Sequence, residues 1–319
     1  GSGALPFQRE AFAAAIRASG KGVDASLRAF NAAADLAENA ALPLTDTKPI
    51  ATSTEVYGSP EALSDWQVLL TRVDALPLPV RDMARAGLGK VVDFQSVTYG
   101  AAYLDRLDGV AKLDCSDRNW ELTQESAKYI ANAMAYDDVI RVADLKTRPR
   151  RFDQIGLEMH AGDDKLLQLT EYFHPRAEEI VGLLPVKLGG RWQADQRRMK
   201  QIDRFFNRGR RIRTDRALLG GLRNWRLKTL RHQQELNHLD RWLSDALCHA
   251  ESHYPLAVEL IRCRRLIKGY SDTHMRGQSK FEKVMAAARN ISERDDAADW
   301  VRRLREAALK DEEGKALEG

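Results

Sequence analysis

Cysteine is scarce in this chain: Cys115, Cys248 and Cys263 are the only three in 319 residues. They are odd in number and far apart, which argues against a disulfide framework and sets the expectation of a reducing, cytoplasmic setting. No Cys-x-x-Cys occurs, so the usual local signatures of a zinc ribbon or an iron–sulfur cluster are excluded. His249 and His253 lie four apart but have no carboxylate to complete a zinc site, and no metal ligand set is expected. No apolar run approaches the ~18–20 residues that a membrane helix needs, and no basic-then-apolar leader is visible. Phosphate-cradling glycine loops are missing, as is the Gly-x-Ser-x-Gly elbow of serine hydrolases. Carboxylates are plentiful, yet none stands out as a paired acid and base. The expectation is a chain with no catalytic residues and no complete active site of its own.

What the chain does have is apolar content of 44% and charged content of 30%, the balance of a folded protein. Its length predicts about two domains. The formal net charge of +4 hides an asymmetry. Between Lys187 and Arg231 fifteen Lys/Arg face three Asp/Glu, a net of +12, which leaves −8 for the remainder. Such a segment favours anionic partners: phosphates, nucleic acid or an acidic protein face.

Helical signals dominate. Apolar spacing predicts helices over residues 7–18, 23–38, 60–74, 80–95, 98–113, 124–146, 176–184, 195–206, 216–247, 256–268, 273–288 and 295–309. Ser59 and Pro60 form a strong helix start, Thr123 is expected to cap the long helix after it, and Gly269 suits a left-handed helix end. Residues 41–58 carry Pro43, Pro49 and no periodicity and read as a linker, so residues 1–40 and 59–319 are the expected domains. The only extended piece is a weak one at 50–56. The predicted class is all-α, a multi-helix bundle.

Four places stand out. The stretch from Leu266 to Gly277 gathers Lys268, Tyr270, Asp272, His274 and Arg276 around a glycine break between two helices, with Lys280 one turn on. Free N–H groups at the second helix start, beside these cations, suit an anion or an interface; the plainer reading is a capped corner whose polar groups satisfy one another. On the 124–146 helix, Asp137, Arg141, Asp144 and Arg148 share one polar face, either an ion-pair ladder or a partly buried face that answers the corner. His174-Pro175 reads as a helix start. The basic run holds Phe205, Phe206 and Trp225, which read as core among apolar neighbours rather than as stacking platforms; a nucleic-acid module is the alternative function.

Several segments resemble a known family. They are Ile267-Lys-Gly-Tyr-Ser-Asp-Thr-His-Met-Arg-Gly277 with Lys280-Phe-Glu-Lys283, Tyr136-Asp-Asp-Val-Ile-Arg-Val-Ala-Asp-Leu-Lys-Thr-Arg148, Leu169-Thr-Glu-Tyr-Phe-His-Pro-Arg-Ala-Glu-Glu179, and Asp299-Trp-Val-Arg-Arg-Leu-Arg-Glu-Ala-Ala308. In this order they resemble the C-terminal region of the long bacterial indolepyruvate ferredoxin oxidoreductase beta subunits. The opening segment, with Ile16-Arg-Ala-Ser-Gly-Lys-Gly-Val23, resembles the tail of the Rossmann-like gamma-type domain of 2-oxoacid:acceptor oxidoreductases, so the chain is expected to begin late in that domain, with Gly1 a cloning remnant. The resemblance implies oxidative decarboxylation of aryl-pyruvates with thiamine diphosphate, magnesium, iron–sulfur clusters, coenzyme A and a ferredoxin-type acceptor. In that family the thiamine and iron–sulfur sites sit on other domains or on the partner subunit, so the resemblance implies that those cofactors lie on partner domains or on a catalytic alpha-type subunit, and the lack of a cysteine cluster here agrees with it. The chain then has an accessory role, docking on that subunit, with the corner from Lys268 to Arg276 serving that contact or an anionic ligand such as coenzyme A.

Overall fold

A computed structural model describes residues 8–19, 23–39, 56, 58–148, 151, 155, 176–207, 221–270 and 272–311. Among these the elements are α-helices and short 3₁₀ turns, with no strand; the one ladder-like contact is an isolated antiparallel bridge between Pro185 and Thr229. The all-α, multi-helix bundle is what the apolar spacing predicted. No helix of the described residues is long and apolar enough to cross a membrane. The extended piece at 50–55, the segment 169–175 and the 208–220 part of the basic run lie outside the described residues.

The chain divides into two compact units, Gly1–Tyr57 and Gly58–Gly319. In the first, α1 (Arg9–Ala18) and α2 (Val23–Asn39) pair. Phe12 and Phe30 meet at 6.1 Å between ring centroids, and Arg9 bridges to Asp35 at 2.7 Å.

The second unit opens with α3 (Pro60–Ala75), where Ser59 Oγ accepts from the Ala62 N–H as expected of a cap. The packed centre is formed by α4 (Leu78–Phe94), α5 (Val97–Ala111) and α6 (Glu121–Met134). Helix α4 approaches α5 and α6 closely because Gly87 has no side chain: a Cβ there would lie 2.5 Å from Tyr103 Oη and 3.0 Å from Ala131 Cβ. Val80, Leu88, Val91, Leu107, Leu122, Ile130 and Met134 are buried here, the largest apolar investment of the fold.

Two long helices expected from periodicity are broken. The 124–146 helix becomes α6 and α7 (Val139–Thr147). Residues 135–138 leave helical geometry because Asp138 is a better cap than an interior residue; its Oδ1 accepts the Arg141 N–H at 2.5 Å. Thr123 is not the cap of α6. Its N–H and hydroxyl both donate to Asp114 Oδ2, at 2.9 and 2.7 Å, inside the first turn. Of the expected 216–247 helix, the described part from residue 221 on is helical only as α11 (Leu230–Leu247), capped by Thr229 Oγ1 on the His232 N–H. Ahead of it run two short 3₁₀ turns, Gly221–Asn224 and Arg226–Lys228. Between α7 and these turns sit α8 (Ala177–Gly182), α9 (Val186–Ala194) and α10 (Gln196–Asn207).

After α11 come α12 (Tyr254–Arg262), a 3₁₀ turn (Cys263–Leu266), α13 (Asp272–Ile291) and α14 (Ala297–Lys310). Gly269 has φ +77°, the left-handed position that its sequence context suggested. Leu239 and Leu243 of α11 are buried against this layer, and Trp242 donates its Nε1–H to the Leu260 carbonyl.

Candidate functional site

The break between α6 and α7 determines the local electrostatics. Asp138 is drawn inward and meets Arg226, which is 1% exposed. The guanidinium donates through Nε to Asp138 Oδ2 at 2.8 Å and through Nη1 to the Phe94 carbonyl and Gln95 Oε1, at 2.8 and 2.9 Å. It also lies 4.1 Å from the Phe94 ring centroid. This buried pair fastens the 3₁₀ turn before α11 to the end of α4 and the start of α7. A buried charge needs such complete pairing.

The remaining charged residues of α7 form a ladder, but not the one the spacing suggested. Asp137 precedes α7 and stands apart from the ladder. Arg141 and Arg148 instead share Asp144, at 3.2 and 2.7 Å, and Asp93 of α4, at 2.6 and 3.0 Å. The two guanidinium groups hold the Asp93 carboxyl below its ordinary range against the opposing effect of burial.

Asp137 belongs to something else: it lines two neighbouring cavities, and the segment from Ile267 to His274 is the wall between them. The first, about 580 Å³, is basic. Lys90, Lys128, Arg141, Arg264, Arg265 and Lys268 line it against Asp137, the one carboxylate among the described lining residues. Arg141 is paired as above, and Arg264 lies 3.7 Å from Glu235. Burial raises Asp137 and lowers Lys90 relative to their ordinary values.

The second cavity, about 420 Å³, has mixed charge. Its centre is Glu235, 6% exposed, which takes Arg231 at 2.6 Å and stands 3.5 Å from His274 Nε2. Burial, with Arg231, Arg264 and His238 adding to it and Glu235 opposing, holds His274 down at about 4. Arg264 Nη1 donates to His238 Nδ1 at 2.6 Å, which leaves the proton of that ring on Nε2, 3.3 Å from Glu282 without hydrogen-bond alignment. Four buried polar atoms on the lining residues have no aligned partner: Glu179 Oε1, Arg231 Nε, His238 Nε2 and Tyr270 Oη. Burial and the Glu179 carboxylate both raise the Tyr270 phenol. Tyr270 and Glu179 interact with each other and His238 Nε2 faces Glu282, so these groups meet within the cavity wall without good alignment.

The corner residues separate in space. Lys268 lines the basic cavity, Tyr270 the mixed one, and His274 both. The Asp272 side chain lies outside the described residues. Arg276 is exposed and lines neither cavity. Lys280 donates to the Ala308 and Asp311 carbonyls and so ties α13 to the end of α14. Sequence reasoning passed over Glu235, the hub. The signal was present in Arg231, Glu235 and His238, which follow one another at helical spacing of four and three.

In the basic run, Arg223 donates to the Val92 carbonyl and Arg226 and Arg231 are spent on internal carboxylates. The aromatics there are not core: Phe205 is 55% exposed, Trp225 is 38% exposed, and Phe206 is half-buried against Phe205. Among the described residues no group of three His, Cys, Asp or Glu is placed to hold a metal.

No curated protein and no solved structure matches this chain. Residues 80–287, more than half of the chain and all of the described lining residues of both cavities, match the model of a family of unknown function (DUF6537), and the chain belongs to that family.

Proposed function

We propose that this chain is an accessory, non-catalytic part of a thiamine-diphosphate-dependent 2-oxoacid:ferredoxin oxidoreductase acting on indolepyruvate or related aryl-pyruvates, and that its helical unit docks on the catalytic alpha-type subunit. One observation carries the reading. Three of the segments that resemble the indolepyruvate oxidoreductase beta subunits are far apart in sequence, yet they converge on the two cavities. The segment at 136–148 supplies Asp137 and Arg141, that at 267–277 supplies Lys268, Tyr270 and His274, and that at 169–179 supplies Glu178 and Glu179. Polar residues from three separate stretches meeting at one place is what a shared contact or ligand would require.

The cysteines do not suit an iron–sulfur cluster. Cys263 is buried with its thiol pushed up to about 12 by that burial, whereas Cys115 and Cys248 are exposed. The reading therefore assigns iron–sulfur clusters, thiamine diphosphate and magnesium to partner domains, and coenzyme A and the ferredoxin-type acceptor to the assembled enzyme.

The test is affinity purification of the tagged chain from its source cells at physiological salt, read by mass spectrometry and by absorbance at 260 nm. The expected result is a large thiamine and iron–sulfur subunit whose complex oxidises aryl-pyruvates. Nucleic acid in its place, released by modest added salt, would transfer the function to the basic segment.

A further inference from the structure

The basic cavity has more positive charge than the fold itself neutralises. Lys128, Arg265 and Lys268 make no ion pair among the described residues. Lys90 makes only a hydrogen bond, to the neutral Asn132 Oδ1 at 2.6 Å. These four cations come from four different places: α4, α6, the 3₁₀ turn after α12, and the loop before α13. Gathering like charges on one concave wall opposes folding, and ion pairs elsewhere on the chain show that carboxylates were available to relieve it. Among the described residues Asp137 is the only carboxylate on the lining, and Arg141 and Arg264 are already paired with Asp93, Asp144 and Glu235. His274, the third residue of the 20-residue helix α13, also lines the cavity, so the first turn of that helix adds its partial positive charge to the rim.

We propose that this cavity is a binding site for a diphosphate group. A singly charged anion would leave most of this charge uncompensated, while the doubly to triply charged diphosphate matches Lys90, Lys128, Arg265 and Lys268 set against Asp137, the one carboxylate among the described lining residues. The volume of about 580 Å³ falls in the range of small-molecule sites, ~300–1,000 Å³, and exceeds what an inorganic ion alone would fill. Asn132 and Lys90 offer donors on one side and Arg265 a planar guanidinium fork on the other, the two chemistries that hold phosphate oxygens. Tyr129 and Tyr136 add the aromatic lining against which the organic part of a diphosphate ester would pack.

This inference stands on the charge and shape of the cavity and needs no catalytic subunit, so it can fail while the proposed assembly stands, or the reverse. The experiment is isothermal titration calorimetry of the full chain with inorganic pyrophosphate at constant physiological ionic strength, with sulfate as the comparison anion. The expected result is saturable binding of pyrophosphate, at least tenfold tighter than sulfate. The double variant Arg265→Glu/Lys268→Glu loses at least tenfold in affinity and keeps its melting temperature, since both side chains are exposed. Arg276→Glu, a single charge reversal outside the cavity, changes affinity less than twofold. ADP as a second probe separates the sources: tighter binding than pyrophosphate assigns a diphosphate ester, weaker binding a free diphosphate, and both support the site. Absence of saturation by pyrophosphate, or equal losses in the double variant and in Arg276→Glu, overturns it. Binding of a single-stranded RNA oligomer under conditions where neither small probe binds also overturns it, in favour of an extended nucleic-acid face.

Discussion

Replacing Arg226 by alanine is the sharpest structural perturbation this fold offers. The side chain is fully buried and makes charge-assisted bonds to Asp138 as well as bonds to the Phe94 carbonyl and Gln95. Truncation leaves the Asp138 carboxylate, 7% exposed, without its counter-ion in a dry site, and frees two acceptors besides. Breaking a buried pair from one side costs ~3–5 kcal/mol. Part of the Asp138 charge stays compensated by the Arg141 N–H that it caps, so the expected loss is about 3 kcal/mol, at the lower end of that range. Equilibrium urea unfolding followed by circular dichroism at 222 nm measures it, with Arg226→Lys as the milder variant should alanine leave too little folded protein. The joint replacement Arg226→Met/Asp138→Asn keeps the α7 cap and removes both charges, and it is expected to recover at least half of the loss. A loss below about 1 kcal/mol in Arg226→Ala would refute the claim that this pair holds the turn to α4 and α7.

Three other perturbations follow from the same geometry. His274 is held at about 4 in the fold against an ordinary value of 6.5, so unfolding takes up a proton between those two values and stability falls as pH drops through that window. Relative to pH 7.5, wild type is expected to lose about 2 kcal/mol more than His274→Gln at pH 5, and parallel pH–stability curves for the two would contradict this. A Cβ at Gly277 would lie 2.5 Å from the Leu266 carbonyl oxygen, so Gly277→Ala is expected to cost about 2 kcal/mol by forcing α13 off the preceding turn. Gly109 in α5 has open space around it, and Gly109→Ala should stabilise by about 0.5 kcal/mol; thermal melts that place these two glycine variants together would undo the packing argument.

The sequence made legible whatever depends on neighbours in the chain. Ser59 caps α3 and Gly269 turns through a positive φ because each rests on a local signal. The break at 135–138 was missed for the opposite reason. Asp137 and Arg141 looked like one turn of a ladder, while Asp138 was committed to Arg226, 88 residues away. The shortening of α11 has the same cause, since a run that includes Arg226 reads as helix until its burial is known. The corner beside Gly269 was visible as a cluster of polar residues, but the separation of Lys268 from Tyr270 into different cavities was not. That separation depends on α6 and the 3₁₀ turn closing one side and α8 and α11 the other. Glu235 stayed hidden because its partners come from α11, that same turn and α13 together.

The account rests on the corner before α13 being a working site and not a packed turn. The most direct measurement is the aryl-pyruvate oxidation rate of the proposed assembly with its catalytic subunit, the chain carrying Arg265→Glu/Lys268→Glu, taken beside the melting temperature of the variant chain. The account predicts an unchanged melting temperature and turnover reduced at least tenfold; an intact fold with full turnover would contradict it.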